Sequence, residues 1–317
     1  MPTTAHTLRL GTRGSLLART QSQLVADALV ARHPGLRVEL VVCRTTGDRI
    51  TDRPLHGAGG KGLFVKELEE ALLRGEVDFA VHSSKDVPVT MPLVDQSDLL
   101  LAAFPPREDP RDVLVCRTTK GIAGLPAHAK VGTGSLRRKA QLLSLRPDLR
   151  VELLRGNIDT RVNKCLKTSE YDAVILAMSG LKRAALFDER TMTPLSVDEM
   201  VPAAGQGALA LQCRRSDGTT QLLLSSLHDA ATATCVGLER SLVTALEGDC
   251  ASPIGALATV AGGSVTLRAA VAAVGGLPPL VMASARGDAP AAALADVLDQ
   301  LNRQNVRPLL HPAARPA

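Results

Sequence analysis

Apolar and polar positions alternate along the chain in a repeated strand, glycine turn, helix rhythm. "LRLGTRGSLLARTQSQLVADALVARHP" opens with a strand-like run and a tight Gly turn. An amphipathic helix follows, with Leu17, Leu24, Val25, Ala28 and Leu29 expected on one face. Next come the strand "LRVELVVC", a polar loop from Arg44 to Gly62, and the helix "LFVKELEEALLRG", for which Gly75 suits a C-cap. The strand "VDFAVHS" runs directly into "SKDVP". From about Pro105 the pattern returns: "AKVGTGSLRRKAQLLSLRP" is strand, turn and helix, followed by the strand "RVELLRG", the helix "TRVNKCLKT" and the strand "YDAVILAMSG". Strands alternating with helices indicate α/β layers with largely parallel sheets. "LGTRGSLLARTQ" and "VGTGSLRRKAQ" echo one another, so two similar α/β halves facing a cleft are the economical expectation.

From about Leu227 the pattern changes. The helix "AATATCVGLERSLVTAL" leads into the turn "LEGDCASPIG", then into the alternating runs "ALATV" and "VTLRAAV" around "AGGS", a strand near "LVMASA" and the helix "AAALADVLDQLNRQ". Two alternating runs flanking Gly-Gly-Ser read as a hairpin, and the whole as a small α+β domain.

Composition narrows the classes. The 317 residues are 45% hydrophobic, enough for two or three cores. The start lacks an apolar signal-peptide core and no run approaches a bilayer span, so the expected location is the cytoplasm, with no membrane partner. The net charge of +5 is spread through short Gly- and Ser-containing motifs, and one Tyr, four Phe and no Trp leave few rings for stacking bases. Small anions are therefore the expected ligands, and nucleic acid is not. No two of the six cysteines form a CxxC pair, which excludes zinc ribbons and thioredoxin chemistry. Five of them lie in regular elements and read as buried structural thiols; Cys250 sits in a turn of acid, glycine and proline.

Several motifs carry chemistry. "GTRGS" and "GTGSLRR" each follow a strand and open a helix, where backbone N–H groups, Ser hydroxyls and arginines can converge on an anion. Tight-turn glycines with N-capping serines would give the same string; finding it twice favours the anion. "GAGGKG" satisfies G-x-G-x-x-G but lacks the preceding strand, which leaves a flexible loop carrying Lys61. In "HSSKDVP" ionisable residues end a strand that should be buried. There Asp86 could act as general acid/base or stabilise a cationic intermediate, with Lys85 as an anion anchor; an Asp-Val-Pro turn is the plainer alternative. His82 reads as a structural hydrogen-bonding residue. "LRGNIDTR" and "GLKR" add Arg155, Arg161, Lys182 and Arg183 at strand ends, pointing to a substrate with several acidic groups. In "PAAGQGALALQCR", Gln206 is either a ligand contact or part of a close glycine crossing.

Taken in order, "LGTRGSLLA", "GGKGLFVKELE", "HSSKDVP", "REDPRD", "GTGSLRRKAQL", "LRGNIDTR", "LAMSGLKR", "PAAGQGALALQCR" and "LEGDCASPIGA" closely resemble the porphobilinogen deaminase (hydroxymethylbilane synthase) family, from about residue 8 to 260. The resemblance implies two α/β domains like those of periplasmic solute-binding proteins around a cleft, plus a C-terminal α+β domain. It also sends the segment after "GQG" back to the first domain, giving expected domains 1–104 with 204–226, 105–203 and 227–317. The implied reaction joins four porphobilinogen molecules head to tail with loss of ammonia. It then releases hydroxymethylbilane by hydrolysis, for tetrapyrrole biosynthesis. The implied cofactor is a dipyrromethane attached through a thioether to the loop cysteine, here Cys250; no metal is implied, and the family is usually monomeric.

By the same resemblance Asp86 is the catalytic aspartate, because a carboxylate stabilises the positive charge that develops on pyrrole nitrogen. Each pyrrole brings an acetate and a propionate, which gives Arg13, Lys85, Arg137, Arg138, Arg155, Arg161 and Arg183 their anionic partners. Ser15, Thr133 and Ser135 add hydrogen bonds, Lys61 lies on a mobile loop, and Gln206 joins the binding set. Two positions depart from the family: Gly134 stands where serine is usual, and Asp249 where glycine is usual. A carboxylate beside the thiol would raise its pKa and slow cofactor loading. Two other classes compete. A non-enzymatic solute-binding module leaves Cys250 and Asp86 unexplained, and a nicotinamide oxidoreductase rests only on the Gly57 pattern.

Overall fold

The computed structural model describes residues 7–43, 65–89, 98–249 and 251–312. In chain order the first elements are β1 (Thr7–Arg13), α1 (Leu16–Arg32), β2 (Arg37–Cys43), α2 (Lys66–Leu73), β3 (Phe79–Ser83) and β4 (Leu99–Ala103). Then come β5 (Asp112–Cys116), β6 (Lys130–Thr133), α3 (Leu136–Leu145), β7 (Arg150–Leu153), α4 (Ile158–Leu166), β8 (Ala173–Ala177), α5 (Met178–Arg183) and β9 (Met192–Pro194). The chain continues through β10 (Leu209–Arg214), α6 (Gly218–Ser225), α7 (Ala230–Ala245), β11 (Ile254–Ala261), β12 (Ser264–Ala273), β13 (Leu277–Gly287), α8 (Pro290–Arg303) and α9 (Arg307–Leu310). By their contacts the residues group into two compact units, 1–108 with 208–233 and 109–207 with 234–317.

The first unit is built on a five-stranded sheet in the order β2-β1-β3-β10-β4. β1 pairs parallel with β2 and β3, whereas β10 is antiparallel to both β3 and β4. The segment after "GQG" thus adds a strand to the N-terminal sheet, as the family resemblance implies. Residues of alternate parity face opposite sides, as the two-residue strand period requires. Phe79, Val81, Leu209, Leu211 and Cys213 pack with Val25, Ala26 and Leu29 of α1. Ala80 packs with Leu68, Ala71 and Leu72 of α2 on the other side. The buried face of α1 consists of Gln21, Ser22, Val25, Ala26 and Leu29, while Leu24, expected inside, is 50% exposed. Polar anchoring accounts for this rotation: Ser22 Oγ donates to Thr12 Oγ1 at 2.7 Å and Ser83 Oγ to Gln21 Oε1 at 3.1 Å, turning a polar stripe toward β1 and β3.

The second unit repeats the plan, with β7-β6-β8-β5-β9. β6 is parallel to β7 and β8, and β5 is antiparallel to β8 and β9. A separate antiparallel sheet, β11-β12-β13, belongs to this unit. Its first hairpin turns on Gly262 and Gly263, at φ +58° and +79°, the left-handed pair that a tight two-residue turn needs. Sequence patterning separates residues 227–317 as a domain, but the contacts draw their boundaries at 108/109, 207/208 and 233/234. The reason is close packing of this sheet on α3: a Cβ on Gly276 would lie 2.6 Å from the Leu136 carbonyl oxygen, and Lys139 Nζ donates to Gly275 O at 3.3 Å.

Candidate active site

Both glycine turns end in a capped helix. The Ser15 hydroxyl accepts from the Ala18 N–H at 3.3 Å, opening α1, and the Ser135 hydroxyl accepts from the Arg138 N–H at 3.5 Å, opening α3. Buried Thr133 accepts the Ser135 N–H on its own hydroxyl at 3.2 Å, which tightens the second turn. Ser15, Thr133 and Ser135 thus hold the turns in shape. A Cβ on exposed Gly134 would lie 3.1 Å from Leu154 O, so the usual serine would crowd this turn.

In the first unit, β3 passes into a single 3₁₀ turn, Ser84–Asp86. Lys85 and Asp86 are half-buried, as is Arg13 at the end of parallel β1. His82, 5% exposed, feels the charges of both Asp86 and Arg13. The carboxylate and the cation therefore share its surroundings.

In the second unit, Arg137 and Arg138 are 3% and 6% exposed and converge on Asp112, which is wholly buried at the start of β5. Arg137 Nη1 donates to Asp112 Oδ2 and to Val201 O, both at 2.7 Å. Arg138 donates through Nη2 and Nε to Asp112 Oδ1, at 2.7 and 3.1 Å, and through Nη1 to Ile175 O at 3.0 Å. Gln206, 0% exposed, donates to Pro110 O at 2.6 Å and to Asp112 Oδ1 at 2.9 Å. Burial alone would raise the Asp112 pKa, but the two arginines outweigh it and hold the carboxyl well below the usual carboxylate range. These three predicted ligand contacts are thus largely engaged within the protein, and Gln206 packs at the glycine crossing. Among the described residues, Arg137 Nε is a buried donor with no hydrogen-bond partner.

Arg155, Arg161 and Arg183 are half-buried after β7, in α4 and at the end of α5, while Lys182 is exposed. Arg161 Nε donates to Gly156 O at 2.7 Å, and Arg183 Nη2 to Gly207 O at 2.7 Å. Lys61 and Cys250 lie outside the described residues. Beside position 250, Asp249 Oδ1 accepts from the Ala251 N–H at 2.9 Å and from the Ser252 hydroxyl at 3.0 Å, while the Asp249 N–H donates to Ser252 Oγ at 2.9 Å. The unusual aspartate therefore builds its own turn. Among the other cysteines, Cys116, Cys165, Cys213 and Cys235 are buried and Cys43 is half-buried. Burial pushes the Cys165 and Cys213 thiols up to about 11, which disfavours the nucleophilic thiolate.

The sequence singled out the cations and Asp86 but missed Asp112, whose partners lie 25 and 26 residues away. It also missed Glu69, a wholly buried carboxylate that reads locally as one more charge on a helix. No local pattern marks either pairing.

Fold and site together define a class: a doubled α/β protein with a small added sheet, cationic side chains at its strand ends and an acidic turn closing a buried strand. Residues 8–222 match the family model described as porphobilinogen deaminase, dipyromethane cofactor binding domain, and residues 233–297 match that of the porphobilinogen deaminase C-terminal domain. The chain belongs to the porphobilinogen deaminase family. It is 51% identical over 273 residues to the porphobilinogen deaminase of Syntrophobacter fumaroxidans, covering 86% of each chain. It is 50% identical over 269 residues to that of Syntrophotalea carbinolica, covering 85% of this chain and 84% of the relative. Among solved structures it is similar to the methionine-binding protein MetQ, at a TM-score of 0.43 and 11% identity over 74% of this chain and 94% of that one, a likeness too distant to carry an argument.

Proposed function

We propose that this protein is a porphobilinogen deaminase, a transferase that condenses four porphobilinogen molecules head to tail onto a covalently held dipyrromethane, releases ammonia at each step and frees hydroxymethylbilane by hydrolysis. The reading rests first on the half-buried carboxylate of Asp86, which ends a buried strand and is flanked by Lys85. The donor set fits an acidic tetrapyrrole precursor: half-buried Arg13, Arg155, Arg161 and Arg183, and the open buried donor Arg137 Nε. Cys250 would hold the dipyrromethane through a thioether; its sequence neighbour Asp249 is bonded to Ala251 and Ser252. When bound, that group supplies the free pyrrole α-carbon onto which the substrate is joined.

The protein's own residues do the rest. Arg13 and Lys85 in the first unit, and Arg155, Arg161 and Arg183 in the second, each offer a cation to the acetate and propionate side chains of pyrrole rings. The Asp86 carboxylate stabilises positive charge developing on pyrrole nitrogen, and it can take or return a proton as ammonia leaves. Ser15, Thr133 and Ser135 keep the strand-to-helix turns in the shape that presents backbone N–H groups to an anion. Buried Asp112 fixes the two arginines of α3, so that Arg137 Nε is held in place.

The test is turnover of porphobilinogen, followed by release of ammonia and hydroxymethylbilane. Wild type should form both, and Asp86→Ala should keep its covalent pyrrole adduct while kcat falls by about 10²-fold or more, the usual loss when one electrostatic stabiliser is removed. Near-normal bilane formation by that variant would remove Asp86 from the mechanism.

A further inference from the structure

A buried polar chain crosses the α2 side of the first sheet and is used by nothing described so far. Ala210 lies opposite His82 in the β3–β10 ladder, and Gln212 lies opposite Ala80, so His82 and Gln212 are diagonal neighbours on one face. Glu69 of α2 reaches the same face. The three side chains are 5%, 1% and 0% exposed respectively, with Gln212 Nε2 donating to Glu69 Oε1 at 2.8 Å and His82 Nε2 lying 2.9 Å from Gln212 Oε1.

The chemistry of the chain runs in one direction. A carboxylate only accepts hydrogen bonds, so the NH₂ end of the Gln212 amide faces Glu69. The carbonyl end must then face the imidazole, and a carbonyl also only accepts. His82 Nε2 therefore carries the proton, and in the neutral ring Nδ1 is left with its lone pair. Burial pushes the ring's pKa down to about 4, against the hydrogen bond to Gln212 and the charge of Asp86, with Arg13 adding to the downward shift. The ring is thus neutral in ordinary buffers near neutral pH.

We propose that His82 is a positioning residue for Asp86, locked by Glu69 and Gln212 as the neutral Nε2–H tautomer so that a neutral ring, and not a positive charge, precedes the Ser84–Asp86 turn. An imidazolium at this place would neutralise Asp86 and take up the negative charge that a cationic pyrrole intermediate needs. The inference rests on the proposed function for its catalytic consequence and on hydrogen-bond chemistry alone for the tautomer.

The two parts are tested separately on the holoenzyme. Histidine ¹⁵N NMR, with His82 assigned by its loss in His82→Gln, should show a protonated Nε2 and an unprotonated Nδ1 from pH 8 down to about pH 5. A protonated Nδ1 within that range overturns the proposal whether or not the protein is active. Glu69→Gln keeps the shape of the side chain but removes the acceptor-only group, and Gln212→Leu removes the relay. Glu69→Gln should mix the two His82 tautomers, lower kcat about 5-fold or more with KM little changed, and move the acid limb of the kcat profile. Mixed tautomers with unaltered kcat and pH profile would overturn the positioning role. Absence of turnover in wild type would instead count against the proposed function, with the tautomer still decided by the spectrum.

Discussion

Asp112 accepts from Arg137, Arg138 and Gln206 with no solvent contact, and pairs of this kind are costly to break from one side. Asp112→Asn leaves two buried guanidinium groups without a counter-charge, so unfolding by urea should show a loss of about 3–5 kcal/mol. The pH dependence has two windows with one sign. His82 has its pKa depressed from 6.5 to about 4 by burial, so the unfolded chain binds its proton first and stability falls as pH drops through that interval. The folded pKa of Asp112 lies below its unfolded value, so its contribution is complete above about pH 4 and is lost on further acidification. Asp78 and Asp109, held down by Arg9 and Arg111 against the opposing effect of partial burial, add to the second window. A denaturation midpoint measured from pH 8 to 3 should decline in both windows, and His82→Gln should flatten the upper one. At Asp249 the turn separates shape from charge. Asp249→Asn keeps an acceptor for Ala251 and Ser252 and should load cofactor faster than wild type, whereas equal loading rates would reject a charge effect on the thiol. The residue types of the site were legible in the sequence, because strand ends with Gly, Ser and Arg have few uses. Their partners were not, since burial of Glu69, Asp112 and Gln206 is decided by elements far apart in the chain.

At the level of elements, the repeated strand-turn-helix units were read from periodicity and caps alone. Gly75 takes φ +67° after α2, and the Gly262–Gly263 hairpin forms as the two alternating runs require. Ser15→Ala and Ser135→Ala should each cost about 1 kcal/mol through loss of an N-cap, checked by denaturant titration. Gly132 is tighter than Gly134: a Cβ there would meet the Tyr171 ring at 2.8 Å. Gly132→Ala should therefore lower Tm more than Gly134→Ala, in which the new atom sits 3.1 Å from Leu154 O. What escaped the pattern was short or polar. β9 spans three residues, and α6 begins at a glycine, so neither presents a readable period. The inward face of α1 escaped for another reason: Gln21 and Ser22 are buried by hydrogen bonds to strand-end hydroxyls, which a hydrophobic stripe does not report.

For the whole molecule, two sheets share the order of a parallel triplet followed by an antiparallel strand, yet that strand comes last in sequence in one unit and first in the other. Composition alone would assign β10 to the second domain; the ordered motifs return it to the first, because they resemble a family whose chain crosses back. The same motifs single out one cysteine of six, while burial and raised pKa values make Cys165 and Cys213 poor candidates for attachment. The most direct measurement is the intact mass of the purified active protein and of Cys250→Ser. Wild type should carry an added mass of two linked pyrrole units from porphobilinogen, and Cys250→Ser should show the bare polypeptide. An active wild type with no added mass, or an adduct that persists in Cys250→Ser, would contradict the assignment.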